Sequence, residues 1–269
     1  MKIAIISDLH ANLPALKAVL SDIASFNPDQ IYCLGDLTDA APWHNEVIEL
    51  IKDRNIATIM GNHDERIAFD HPITPLSKHS LREQQARLDA INYTKQHITK
   101  DNKAFLAALP ATIRLETEGM TILLVHGSAD NNEEYLYEDA EESRISEMFR
   151  KEQVELIVSG HTHIPFIRYL RESNDQKLPE SVAQNLTGSF AQKTRLLINT
   201  GSVGRSKEKD RKACYLQLEI LSASDGVGLE RLKPVIRKIT YPIEETIRGI
   251  RNSPVPDFYA DFLENQEQV

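Results

Sequence analysis

The stretch Ile56-Ala57-Thr58-Ile59-Met60-Gly61-Asn62-His63-Asp64 decides how this chain is read. Its first five residues are largely apolar, the pattern of a short buried strand. Its last four deliver an amide oxygen, an imidazole and a carboxylate into what reads as a turn. Gly-Asn and His-Asp pairs are ordinary turn chemistry, so the tetrapeptide alone decides nothing. Its weight comes from the other strand-like runs of the chain, several of which end in the same way.

Upstream, Lys2–Ile6 is apolar throughout, as expected of a strand covered on both faces, and runs into Asp8-Leu9-His10. Asn12 and Pro14 then open a helix with Leu16, Val19, Leu20 and Ile23 at helical spacing. Gln30–Leu34 predicts a second strand, ending at Gly35-Asp36, and Trp43–Asp53 a second helix. This β-α-β-α-β order predicts an open α/β sheet whose strand C-termini carry the ligand site. Downstream, Ser80–Ala108 reads as helix interrupted around His97–Asn102, and Thr112–Glu116 and Met120–Val125 flank a hairpin turn at Glu118-Gly119. The second of these strands ends at His126. An acidic loop over Asp130–Glu134, expected to be mobile, precedes a helix over Ala140–Lys151. The strand Val154–Val158 ends at Gly160-His161-Thr162-His163, and Ile164–Leu170 runs out again. Residues 171–193 are polar and read as an insertion loop. Arg195–Ile198 stops at Asn199, Ala213–Ile220 and Val235–Tyr241 alternate as antiparallel strands, and Ile243–Leu263 reads as one or two helices on the surface. The organisation expected is one domain over residues 1–242 with a helical tail over 243–269.

With 269 residues, 41% of them hydrophobic, the chain can bury a full core. Its formal charge of −9 and pI near 5.5 argue against a stable nucleic-acid complex or a membrane-surface binder, although metal ions can supply positive charge for phosphate. No segment has the length and apolarity of a membrane span, and the first apolar run is too short for a signal peptide. Cys33 and Cys214 lie in strand-like surroundings and read as buried reduced thiols, so a cytoplasmic location is expected. Whether the tail makes a homo-oligomer is left open.

Six strand-like runs thus end in Asp8/His10, Asp36, Asn62/His63, His126, His161/His163 and Asn199. One Asp after a strand is usually a cap, and one His usually a satisfied core or surface residue. Gathered on one sheet edge, as the pattern predicts, so many buried polar groups are costly unless a cation offsets them. Imidazole, carboxylate and amide ligands suit Mn, Fe, Zn, Co or Ni. Asp8, His10, Asp36, Asn62, His126, His161 and His163 are enough for two divalent ions at about four protein ligands each, provided one carboxylate serves both. His63 is left over, free to protonate a leaving oxygen.

Asp8-x-His10, Gly35-Asp36, Gly61-Asn62-His63-Asp64, Val125-His126 and Gly160-His161-x-His163 together resemble the motif set of the calcineurin-like metallophosphoesterases, in order from residue 3 to about residue 204. The resemblance implies an α/β fold in which two mixed β-sheets pack as a sandwich flanked by helices. It implies one metal on Asp8, His10, Asp36 and His163, a second on Asp36, Asn62, His126 and His161, His63 as proton donor and Asp64 as its orienter. Manganese is the metal expected first. Ser7–Leu13 and Asn199–Gly204 look most like the small bacterial and archaeal phosphodiesterase branch. Ala11 stands where that branch has Gly, and Arg205-Ser206-Lys207-Glu208 where it has Pro-Arg-Asp. Both departures bear on substrate contact. Protein phosphatases of the superfamily resemble Gly-Asp-x-x-Asp-Arg-Gly at the second motif, whereas Gly35-Asp36-Leu37-Thr38-Asp39-Ala40-Ala41 has no Arg to grip phosphate. The expected activity is hydrolysis of a small phosphate ester, a diester of a nucleotide-like compound, with a phosphomonoesterase or dinucleoside polyphosphate hydrolase as the alternative. A scaffold of the same fold is disfavoured because His63, Asp36 and Asn62 are all present. Among the remaining residues, His44, His71, His79 and His97 read as surface residues, Glu133–Glu138 as a solvated loop, Arg66 as a residue within reach of substrate or a solvated charge, and Asn199 and Ser202 as site or turn residues. Tyr135 and Tyr137 are candidates for stacking on a base.

Overall fold

The computed structural model describes residues 1–75, 80–117, 119–171, 194–226 and 228–265. The expected insertion loop lies outside these residues apart from Arg171, and so does His79.

The first sheet is built from β1 (Lys2–Ile6), β2 (Gln30–Cys33), β3 (Ala57–Thr58), β9 (Ala213–Ile220) and β10 (Leu232–Ile239), in the order β10-β9-β1-β2-β3. Strands β1, β2 and β3 run parallel, while β9 and β10 are antiparallel. The second sheet holds β4 (Ile113–Thr117), β5 (Met120–Leu124), β6 (Leu156–Ser159), β7 (Phe166–Arg171) and β8 (Thr194–Asn199), in the order β4-β5-β6-β8-β7. There β5, β6 and β8 are parallel and the outer strands antiparallel. This is the expected pair of mixed sheets. The strand C-termini therefore come from two sheets, not from the single edge predicted by the β-α-β-α-β order. Periodicity reads each strand, but not which sheet it joins.

Why the strand runs are apolar on both faces follows from period two. On β1, Ile3 and Ile5 join Tyr32, Ile122, Leu124, Leu156, Val158, Leu196 and Ile198 in the layer between the sheets. Ala4 and Ile6 instead join Leu16, Val19, Ile23, Val47 and Ile51, the apolar faces of α1 (Leu13–Phe26) and α2 (His44–Asp53). On the other side, Leu123, Ile157 and Leu197 meet Ile145, Met148 and Phe149 of α6 (Glu142–Glu152). Asn12 caps α1, its side chain accepting from the Ala15 N–H.

Gly61-Asn62-His63-Asp64 differs from the expected turn. Gly61 is the extended N-cap of α3 (Asn62–Ala68), and Asp64 at the third helical position accepts from the Gly61 N–H. The strand before it shrinks to Ala57–Thr58, because Ile59 still donates to Cys33 but Met60 donates to Pro110 on another loop. Helices α4 (Leu81–His97) and α5 (Lys100–Ala107) reproduce the predicted interruption.

The tail forms α7 (Ile243–Arg251) and α8 (Phe258–Glu264). It does more than decorate the surface. Ile247, Ile250, Val255, Tyr259, Ala260 and Leu263 are buried with Ala11, Ala40, Ala41, Ala86 and Ala90 in one cluster, and Thr246 donates to the Asn12 side chain. Each buried large aliphatic contributes about 1.5–3 kcal/mol, enough to hold these helices over the β1–α1 and β2–α2 turns. His44 is also buried rather than exposed, its ring edge-on to Tyr93.

Gly35 closes β2 with φ at +91°, and a Cβ there would lie 2.3 Å from the Gly61 N and 2.8 Å from the Ile59 O. Gly35→Ala should lower the unfolding free energy by about 2 kcal/mol or more, read by urea denaturation. A change within about 0.5 kcal/mol, as at an ordinary surface site, contradicts this packing account.

Candidate metal centre and cleft

The parallel strands of both sheets end against one another, and the loops after β1, β2, β5 and β6 lock together through the backbone. Asp8 N–H donates to Gly35 O, His10 N–H to Asp36 O, and Gly160 N–H to His126 O. Fitting these loops together forces Asp8, His10, Asp36, Asp39, His161 and His163 into left-handed backbone, with φ between 46° and 69°. Such residues cost about 1–3 kcal/mol each and gather at functional sites. Ala11, where the related branch has Gly, adopts the same region at 53° and buries its methyl in the tail cluster.

Each ligand candidate is oriented from behind. His10 Nδ1 donates to Thr38 O (3.2 Å), His126 Nδ1 to Leu34 O (2.7 Å) and His163 Nδ1 to Arg205 O (2.8 Å). In His161 it is Nε2 that donates, to Glu133 O at 3.2 Å. A carbonyl can only accept, so the other nitrogen of each neutral ring keeps its lone pair for the interior, the outer bonding of metal-ligating histidines. Asp8 Oδ2 accepts from Ser7 Oγ (2.6 Å) and His161 N (3.0 Å), and Asp36 Oδ1 from His63 N (2.8 Å).

The inner oxygens, Asp8 Oδ1 and Asp36 Oδ2, are buried with no hydrogen-bond partner. Asp8 Oδ1 lies 3.2 Å from His163 Nε2, and Asp36 Oδ2 lies 3.4 Å from His126 Nε2 and 3.9 Å from His10 Nε2. Asn62 Oδ1 is 3.1 Å from His126 Nε2. The Nε2 atoms of His10 and His163, both lone-pair bearing, face each other at 3.0 Å. Three groups bring ligand atoms within 4.8 Å of one another: Asp8, His10 and His163; His10, Asp36 and His63; and Asp36, His126 and His161. Unpaired buried oxygens beside opposed lone pairs are unfavourable alone and suit a divalent cation.

Charge states agree. Burial pushes Asp8 and Asp36 up, but the neighbouring imidazoles outweigh it and hold both well below the usual carboxylate range. Burial drives His10, His161 and His163 down, His161 to about 3, so all three stay neutral. His126 is the exception: burial would lower it, but Asp36 raises it to about 9, a proton that cation binding must displace.

His63 is the most accessible of these rings, 20% exposed. Its Nδ1 is 2.7 Å from Asp39 Oδ2, and its Nε2 3.9 Å from Asp36 Oδ2. Asp39, not Asp64, makes this contact. Asp64 is fully buried and turned away, accepting from Leu37 N (2.9 Å) and Gly61 N (3.2 Å), which ties the β2 loop to α3. Adjacency in sequence favoured Asp64, but successive helical residues point apart. The signal for Asp39 was its place three residues after Asp36. Asn199 has a supporting part: its amide donates to Gly160 O (2.6 Å) and its oxygen accepts from Gly201 N (2.9 Å), fixing the loop of His161. Ser202 donates to Asp8 O (2.8 Å).

Asp36, Asn62, His63, His161 and His163 floor a cleft of about 440 Å³, lined also by Arg66, Glu83, Arg87, Glu133, Tyr135, Arg205, Lys207, Phe258 and Tyr259. Tyr135 lies on the His161 ring, centroids 4.0 Å apart, with Tyr137 stacked at 5.8 Å. The acidic loop is pinned, since Arg144 on α6 pairs with Asp130 (3.0 Å) and Glu134 (2.6 Å). Composition showed its charge but not this partner.

A family model described as the calcineurin-like phosphoesterase superfamily domain matches residues 1–222. An uncharacterized protein of Methanocaldococcus jannaschii is 31% identical over 263 residues, 97% of this chain and 96% of the relative. The crystal structure of a metallophosphoesterase from Sphaerobacter thermophilus superposes with a TM-score of 0.70 at 28% identity, covering 99% of each chain. That of a hypothetical protein from Pyrococcus horikoshii gives 0.74 at 19% identity, covering 100% of this chain and 99% of the other.

A site built this way has the donor set for divalent cations. Adding Mn²⁺ at about 100 times its Kd to chelator-treated protein should stabilise it by about 2.7 kcal/mol, several degrees in Tm, and Asp36→Asn should abolish most of that increment. Equal melting with and without the ion, or an undiminished increment in the variant, contradicts the assignment.

Proposed function

Because the chain belongs to the calcineurin-like phosphoesterase superfamily, we propose that it hydrolyses a phosphodiester of a small nucleotide-like substrate, using two divalent cations and His63 as proton donor. The observation that carries this reading is Asp36, whose orphaned Oδ2 stands between the Asp8/His10/His163 group and the His126/His161 group, with His63 on the cleft side. Asp8, His10, Asp36 and His163 hold one cation, and Asp36, Asn62, His126 and His161 the other. The donor set suits borderline metals, manganese first, with Fe, Ni, Zn or Co able to replace it. When bound, the pair neutralises phosphoryl charge and makes a water molecule acidic enough to attack.

The chain's own residues do the rest. His63 faces the cleft and, as the imidazolium, hands a proton from Nε2 to the departing oxygen, while Asp39 at its Nδ1 holds the ring in that orientation. Asn199 and Ser202 hold the loops that carry His161 and Asp8. The position where protein phosphatases carry an arginine is Ala40, buried beneath the C-terminal helices, which favours a diester over a phosphoprotein. Tyr135 presents a ring to the cleft for a base. No helix among the described residues is long and apolar enough to cross a membrane, and the buried free thiols of Cys33 and Cys214 support a cytoplasmic location.

Protein loaded with Mn²⁺ or Ni²⁺ should hydrolyse an aryl phosphodiester, and Asp36→Asn should not; absence of turnover with every metal of the set sinks the reading. His63→Ala should lower kcat by about 10²–10⁴ on an alkyl ester and far less on an activated aryl ester. Asp39→Asn should give the same leaving-group pattern with a smaller loss. Equal losses on both ester types rule out the donor role.

A further inference from the structure

We propose that Arg66, with Arg87 beside it, forms a subsite for a second phosphate carried by the substrate, about one helical turn from the scissile group. The proposal rests on the phosphoesterase reading and adds to it the class of substrate. Arg66 lies on α3 four residues after Asn62 and three after His63, so all three share one face of the helix. The backbone position of Arg66 therefore stands about 6 Å along the axis from that of Asn62, and both side chains line the same cleft.

The side chain is built in rather than solvated. Arg66 is only 6% exposed, and its Nη1 is buried with no hydrogen-bond partner. Its Nη2 reaches Glu133 Oε1 at a long 3.4 Å, and that carboxylate is 64% exposed, so the pair contributes little. Arg87, from α4, lines the same cleft, anchored by donation from Nη1 to Thr74 O at 2.9 Å. Burial and the charge of Arg66 push the Arg87 guanidinium down, against the opposing effect of Tyr259, Asp39 and Glu133. Two guanidinium groups lining one cleft, one of them with an unsatisfied buried N–H, suit an anion, and guanidinium forks fit phosphate oxygens, with Glu83 and Glu133 as the carboxylates it must displace or avoid. Glu133, at the exposed rim, is the group that an incoming phosphate displaces.

The test uses the p-nitrophenyl phosphodiester of a nucleoside, with and without a second phosphate on the remaining sugar hydroxyl. The wild type should favour the doubly phosphorylated ester by roughly tenfold or more in kcat/KM, the worth of one charge-assisted hydrogen bond. Arg66→Met should remove that ratio, Arg66→Lys should keep only part of it, and Arg87→Met serves as the independent variant. No preference in the wild type, or a preference that survives both methionine variants, overturns the subsite. A dinucleoside polyphosphate run in parallel distinguishes a polyphosphate chain from sugar-spaced phosphates, the larger Arg66-dependent ratio naming the source. Should neither ester turn over, the hydrolase reading fails by itself. Calorimetric titration with the nucleoside monophosphate and bisphosphate then still decides the subsite: the bisphosphate must bind roughly tenfold tighter to the wild type and lose that margin in Arg66→Met.

Discussion

Asp8 and Asp36 are buried carboxylates held ionised among four imidazoles, and their inner oxygens have no hydrogen-bond partner. Burying one such charge unpaired is prohibitively unfavourable. The surrounding chain is organised to tolerate two. Strand ends from both sheets converge there, backbone carbonyls turn His10, His126, His161 and His163 inward, and the loops accept left-handed backbone at non-glycine residues to bring the ligands together. Rigidity comes from the layer between the sheets, where Ile3, Ile5, Leu124, Val158 and Ile198 interlock immediately behind these ligands.

What the sequence disclosed follows from locality. Each ligand candidate stands within a few residues of a buried strand, so the apolar run and the polar group after it are read together. The two faces of those strands explain why their apolar runs are continuous and why helices had to cover them. Less legible was whatever depends on a distant partner. Asp39 and Asp64 both lie in quoted motifs, yet only the path of the β2 loop decides that Asp39 meets His63 while Asp64 braces backbone. Arg66 read equally as a residue within reach of substrate or as a solvated helix charge, and its burial beside the Glu133 loop decides against the second. His44 looked like a surface residue and is buried against Tyr93.

The C-terminal helices illustrate the same point at larger scale. Their apolar spacing predicted helices that pack on something, without naming the surface. That surface is the pair of turns carrying the first candidate metal ligands, and Tyr259 and Phe258 reach the cleft from it. Arg205, whose carbonyl orients His163, lies with its guanidinium 5.1 Å from the Tyr259 ring and 5.0 Å from the Phe262 ring. The tail thus shapes one wall of the cleft and supports a ligand, while α3 and α4 bring the arginines to another.

All of this depends on cations balancing the buried oxygens. Elemental analysis of the purified chain after metal supplementation and removal of excess ion addresses that most directly. The account predicts about two divalent ions per chain, falling in Asp36→Asn because one carboxylate serves both groups. Fewer than one ion per chain in the wild type would contradict it and leave the fold as a scaffold without this chemistry.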